Sequence, residues 1–116
     1  MTDVTGPPGM PMSTTFELPG FTVRDNLGVC YGLVVRSMGA IGSFAAGFKA
    51  LRRGEVSQYT RLLEDSRRHA LDRLVENAGL LGADALIGVR FDSSEIGQQL
   101  TEILAYGTAV TVDRTG

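Results

Sequence analysis

From about Val56 to Leu81 the chain carries one helical stripe. Tyr59, Leu62, Leu63, Ser66, Ala70, Leu74, Ala78 and Leu81 recur along it at spacings of three and four. The opposite side holds Arg61, Glu64, Asp65, Arg68, Asp72, Arg73 and Glu76, with Glu64 and Arg68 in the favourable four-residue order. At 1.5 Å per residue this helix is about 39 Å long. Its apolar stripe has to be buried against another layer. Gly79 weakens its last turn and Gly82 is placed to end it.

The other regular segments supply that layer, and most of them read as strands. In "FTVRDNLGVCYGLVVRS", Phe21 to Ser37, the second half alternates: Val29, Tyr31, Leu33 and Val35 against Cys30, Gly32, Val34 and Arg36. Asn26 and Gly28 mark a bend or bulge there. A shorter helix is expected from Ser43, with Phe44, Gly47, Phe48 and Leu51 on one side and Gly54 as its stop. After the long helix, "ADALIGVRF" sets Ala85, Ile87, Val89 and Phe91 against Leu86, Gly88, Arg90 and Asp92. "SSEIGQQLTE" reads as a connection, and "EILAYGTAVTV" as the last strand. The order is β-α-α-β-β, and the fold class is α+β: a three-stranded, mainly antiparallel sheet with the long helix packed on one face. A right-handed helical crossover makes the first two strands parallel. The last strand, antiparallel to its short-range neighbour, then belongs in the middle.

Residues 1–13 hold three of the four prolines and few large apolar side chains, so they read as a flexible tail before a single domain over residues 14–113. With 116 residues and a net charge of -2, the chain fits one domain and shows no basic run that would mark a nucleic-acid footprint. One cysteine rules out an intramolecular disulfide. The amino terminus lacks the basic start and apolar stretch of a secretory signal. No run approaches the roughly 20 apolar residues of a membrane span. The expectation is a cytoplasmic protein that binds neither membrane nor nucleic acid.

Helices cover only one face of such a sheet, and a wet second face should read polar. Here neither does. Val29, Tyr31, Leu33, Val35, Ile87, Val89 and Phe91 make one apolar set; Cys30, Val34, Leu86, Leu104, Tyr106, Val110 and Val112 make another. An apolar face of that size on a lone domain predicts self-association into a homo-oligomer.

Three runs are specific enough to carry a resemblance: "LPGFTVRDNLGVCYGLVVRS", "ALDRLVENAGLLGADALIGVRFDSSEI" and "EILAYGTAVTV". Over roughly Thr14 to Asp113 the chain resembles the YbjQ-like family, whose members are often labelled heavy-metal-binding and have no known reaction. The resemblance implies a dodecin-like subunit fold and a ring assembly of pentamers that can pair. Family members commonly carry an acidic residue after the glycine of the first strand; this chain has Gly32-Leu33. It also has Gly79 where a helix-favouring polar residue is usual.

The metal label directs attention to Cys30 and His69, the chain's thiol and its imidazole. Soft transition metals want several such ligands. No C-x-x-C or H-x-x-x-H spacing exists, so a metal cofactor would need copies of Cys30 or His69 brought together across subunits. Cys30 among apolar strand residues reads first as a small core residue, and His69 as a surface histidine. No nucleophile-base-orienter set is evident, and the expectation is no enzyme activity. Asp84, Asp92, Glu95 and Glu102 lie near strand ends; Asp84 suits a turn cap. "SMGAIGS", Ser37 to Ser43, would offer N–H groups to an anion but fits no phosphate-loop spacing. A small-ligand or anion site at a subunit interface is therefore a third reading. Flavin stacking would fall to Tyr31 and Tyr106, since the chain has no tryptophan. Arg90 and Asp92 share a strand face and are expected, with Gly88 and Tyr106, in structural or interface roles, Asp92 being the nearest partner for Arg90.

Overall fold

The computed structural model describes residues 9–37, 57–97 and 100–115. The expected short helix from Ser43 and nearly all of "SMGAIGS" lie outside the described residues. The elements are β1 (Phe21–Ser37), α1 (Ser57–Leu80), β2 (Ala85–Gly97) and β3 (Leu100–Arg114). The sheet runs β1-β3-β2, with both pairings antiparallel, so β3 is central and β1 and β2 are parallel to each other. This is the α+β arrangement and strand order read from the sequence. The connection expected at "SSEIGQQLTE" is much shorter, because β2 runs on to Gly97 and β3 begins at Leu100.

The helix lies on one face. Ser66, Ala70, Leu74 and Ala78 are buried completely against the sheet. Leu63 and Leu81, at the edges of the expected stripe, are exposed. Opposite the helix stand Cys30, Val34, Ile103, Ala105, Ala109, Leu86 and Val89, all in one core cluster. Small residues in the middle of this interface let the two layers approach closely. A Cβ added at Gly32 would meet the carbonyl oxygen of Ala70 at 2.1 Å and the amide nitrogen of Leu74 at 2.4 Å. Fully burying a side chain such as Leu74 contributes about 1.5–3 kcal/mol. Gly82, at φ 83°, closes the helix in the left-handed region. The amide of Ala83 donates to the carbonyl of Ala78 at 3.1 Å.

Two bulges set which residues face the helix. In β1 the register shifts between Asn26 and Gly28, where Gly28 has φ 106° and its amide donates to Asn26 Oδ1. Leu27 there packs against the core. In β2 the register shifts between Ile87 and Arg90, with Gly88 at φ 61° as the extra residue.

The first described residues belong to the fold. Met10 is buried in the core, and Pro11 to Thr15 run along the outer edge of β2. Met12 pairs with Leu86 in parallel, and the amides of Leu86, Val89 and Gly88 donate to the carbonyls of Pro11, Ser13 and Thr15. Met10 to Ser13, expected in the tail, are thus bound to β2. The segment then crosses the other face of the sheet, where Leu18 is buried against Ala85, Ile87 and Val110.

Candidate functional site: the uncovered sheet face

The β2 bulge decides what the second face contains. Sequence alternation alone placed Val89 and Phe91 with Ala85 and Ile87. The extra residue at Gly88 reverses that from Val89 onward. Leu86, Val89 and Phe91 point to the helix side, while Ala85, Ile87, Arg90 and Asp92 share the open side. The register also joins Tyr106 and Leu104 to the β1 set from which the sequence reading separated them. Tyr31 faces Tyr106, and Tyr106 faces Arg90, so one row crosses all three strands as Tyr31-Tyr106-Arg90. The next row is Leu33-Leu104-Asp92, followed by Val35-Glu102-Ser94.

Among the described residues, Leu18 covers the end of this face. Beyond it, Val29 is 60% exposed, Tyr31 56%, Leu33 43% and Val35 49%. Leu104 and Tyr106 are half-buried by their neighbours. Among the described residues neither tyrosine side chain has a hydrogen-bond partner. A contiguous apolar patch on the order of a few hundred Å² is the size at which exposed surface marks an interaction site.

Arg90 and Asp92, neighbours on the open side of β2, do not pair with each other. Arg90 Nη1 donates to the carbonyl of Thr14 at 2.7 Å and more weakly to that of Val89 at 3.3 Å. Asp92 Oδ1 accepts from the amide of Ser93 at 2.9 Å. The guanidinium therefore holds the amino-terminal segment, a partner 76 residues away that no strand pattern discloses. Gly88 meets the ring of Phe16 from the same segment; a Cβ there would approach Phe16 Cε1 to 2.8 Å. Asp84 Oδ2 accepts from the amide of Val112 at 3.1 Å, so it caps a backbone group of β3 and not the turn its position suggested. Among the described residues the ion pairs are Arg24 with Asp25 and with Asp113, all exposed.

The metal candidates lie apart in function. Cys30 is buried beneath the helix, where its Sγ lies 3.8 Å from the carbonyl of Leu74. Loss of hydration pushes its thiol above the ordinary range, which disfavours the thiolate that a metal needs. His69 is on the exposed side of α1, and its Nδ1 meets Arg36 Nη2, while Arg36 Nε donates to Ser66 Oγ at 3.1 Å. Among the described residues no three His, Cys, Asp or Glu side chains form a metal-holding group.

The fold is similar to that of a solved protein of unknown function from the DUF74 family of Pediococcus pentosaceus ATCC 25745. The two superpose with a TM-score of 0.63 at 17% identity, over 90% of this chain and 99% of that one. A family model described as "Putative heavy-metal-binding" matches residues 10–113. A UPF0145 protein of Bradyrhizobium sp. (strain ORS 278) is 49% identical over 91% of this chain and 96% of its own length. Another from Methanoregula boonei is 53% identical over 86% of this chain and 83% of its own. The chain belongs to the YbjQ-like family, whose curated members carry the name UPF0145.

Proposed function

We propose that the protein is a homo-oligomeric binding or structural module without catalytic activity, one that works as an assembly of identical subunits. The supporting observation is the exposed apolar row on the sheet face opposite the helix. Four side chains of β1 stand 43–60% exposed in a row, and leaving them in water forfeits burial that a second subunit would recover. Light scattering at micromolar concentration tests this. The expected mass is a multiple of 12.4 kDa. The family resemblance favours five copies, about 62 kDa. A mass of 12.4 kDa would refute the reading.

The family's description supports a second reading, a heavy metal held between subunits. Elemental analysis of the purified assembly separates the two: metal in a fixed proportion to the subunits, including one atom shared by several chains, would favour the second. Comparing wild type with Cys30→Ser in zinc and copper dialysis then says whether the thiol takes part. A third reading, a small ligand or anion at the interface, is tested by thermal shift against nucleotides and flavins.

A further inference from the structure

We propose that Met10 and Met12 make the amino-terminal segment an oxidation-sensitive strap: a peroxide converts their thioethers to sulfoxides, and the segment then leaves the outer edge of β2. Four main-chain hydrogen bonds hold it there. The amides of Leu86, Val89 and Gly88 donate to the carbonyls of Pro11, Ser13 and Thr15, and the amide of Ser13 donates to the carbonyl of Leu86. Alternate residues of an extended chain share a side, and Met10 and Met12 both pack into the core cluster beneath the helix. Thr14 to Glu17 are exposed, including Phe16, whose ring rests on Gly88. From Met10 to Glu17 the apolar anchoring therefore rests mainly on the two thioethers.

Met12 is half-buried and meets a small oxidant without unfolding, whereas Met10 is buried and is reached once the strap lifts. The sulfur lone pair attacks one oxygen of hydrogen peroxide. A sulfur–oxygen bond forms, the O–O bond breaks, and the second oxygen leaves as water with the proton of the first. Sulfur is oxidised and the peroxide is reduced. The product is polar, and the cluster that receives these side chains is built of apolar ones such as Leu74, Ala78, Leu86 and Val89. A polar group buried there without a hydrogen bond disfavours the seated strap. Its release leaves the outer amides of Leu86, Gly88 and Val89 as an open sheet edge. The chain's one thiol does not compete for the oxidant, because Cys30 is buried beneath the helix and burial raises it away from the reactive thiolate. Sulfoxide reductases reverse the step, so the strap can be reset.

The test treats the full chain with hydrogen peroxide at a level that leaves its far-ultraviolet circular dichroism unchanged. Peptide mass spectrometry locates the added oxygen, and hydrogen exchange follows the amides of Leu86, Gly88 and Val89. In wild type we expect oxygen at Met12 first and then at Met10, with exchange at those amides faster on the order of tenfold. The double variant Met10→Leu, Met12→Leu keeps the apolar volume and should keep slow exchange under the same treatment. Met12→Gln puts a polar group at the seat without any oxidant, and should exchange as fast as oxidised wild type. Oxygen at Met12 with unchanged exchange would overturn the proposal. So would acceleration in the double leucine variant, slow exchange in Met12→Gln, or a Met12 that takes up no oxygen before the fold is lost.

Discussion

Gly32 gives the sharpest test of how helix and sheet are held together. In Gly32→Ala the new Cβ would lie 2.1 Å from the Ala70 oxygen, where ordinary contact begins at 3.4 Å, so the helix must retreat by about 1.3 Å at that point. The atoms in the way are main chain on both sides, and no flexible side chain can swing aside. Retreat would also loosen the fully buried contacts of Ala70, Leu74 and Ala78 and stretch the Asn77 and Arg73 bonds to β1. Overpacking in a core costs about 1–3 kcal/mol, and this case belongs at the upper end, about 3 kcal/mol. At ~4 °C per kcal/mol for a domain of this size, the melting temperature should fall by about 12 °C or more. The assay is thermal unfolding by far-ultraviolet circular dichroism at one fixed protein concentration, since association shifts the midpoint. Gly79→Ala is the control: nothing lies within 4 Å of its added Cβ, and it sits in the last turns of α1. Replacing a helical glycine by alanine should stabilise by about 0.5–1 kcal/mol. A Gly32→Ala midpoint within about 3 °C of wild type would refute the close-approach reasoning.

Three further outcomes follow from the same contacts. Arg90→Ala removes the bond to Thr14 and should expose the Met10–Leu18 segment to limited proteolysis several-fold faster, with a stability loss of about 0.5–1.5 kcal/mol; unchanged cleavage there would count against the latch. Combining Arg73→Ala with Asn77→Ala frees two β1 carbonyls, and the double variant should form larger species on concentration, seen by sedimentation, where each wild-type bond contributes about 0.5–1.5 kcal/mol. The Cys30 thiol should resist thiol reagents until the protein unfolds. Its folded value is raised by burial, so the stability it contributes is full below the unfolded thiol's range and is lost as pH rises through the folded value. The stability gap between wild type and Cys30→Ala should therefore narrow as pH rises through the thiol's folded range; a constant gap would contradict this.

The fold was legible where the period of the sequence changes cleanly. The α1 stripe, its stop at Gly82, the central position of β3 and the bulge at Asn26-Gly28 all follow from spacing and handedness. The Gly88 bulge was hidden because Ile87, Gly88 and Val89 are apolar or small on either register, so a one-residue slip leaves the pattern unchanged. That slip also concealed the Tyr31-Tyr106-Arg90 row. Met10 to Ser13 escaped notice for another reason: a proline-containing stretch binds β2 mainly through its carbonyls, which leave no mark in side-chain periodicity. Arg90 looked paired to Asp92 because the two are neighbours on a face, whereas its partner is the backbone oxygen of Thr14.

Native mass spectrometry of the purified protein tests the central claim most directly, because one spectrum reports both the number of subunits and anything bound to them. The account predicts an intact assembly at a whole multiple of the 12.4 kDa chain, with no stoichiometric metal adduct. A monomer at 12.4 kDa, or an assembly that carries metal in fixed proportion to its subunits, would contradict it.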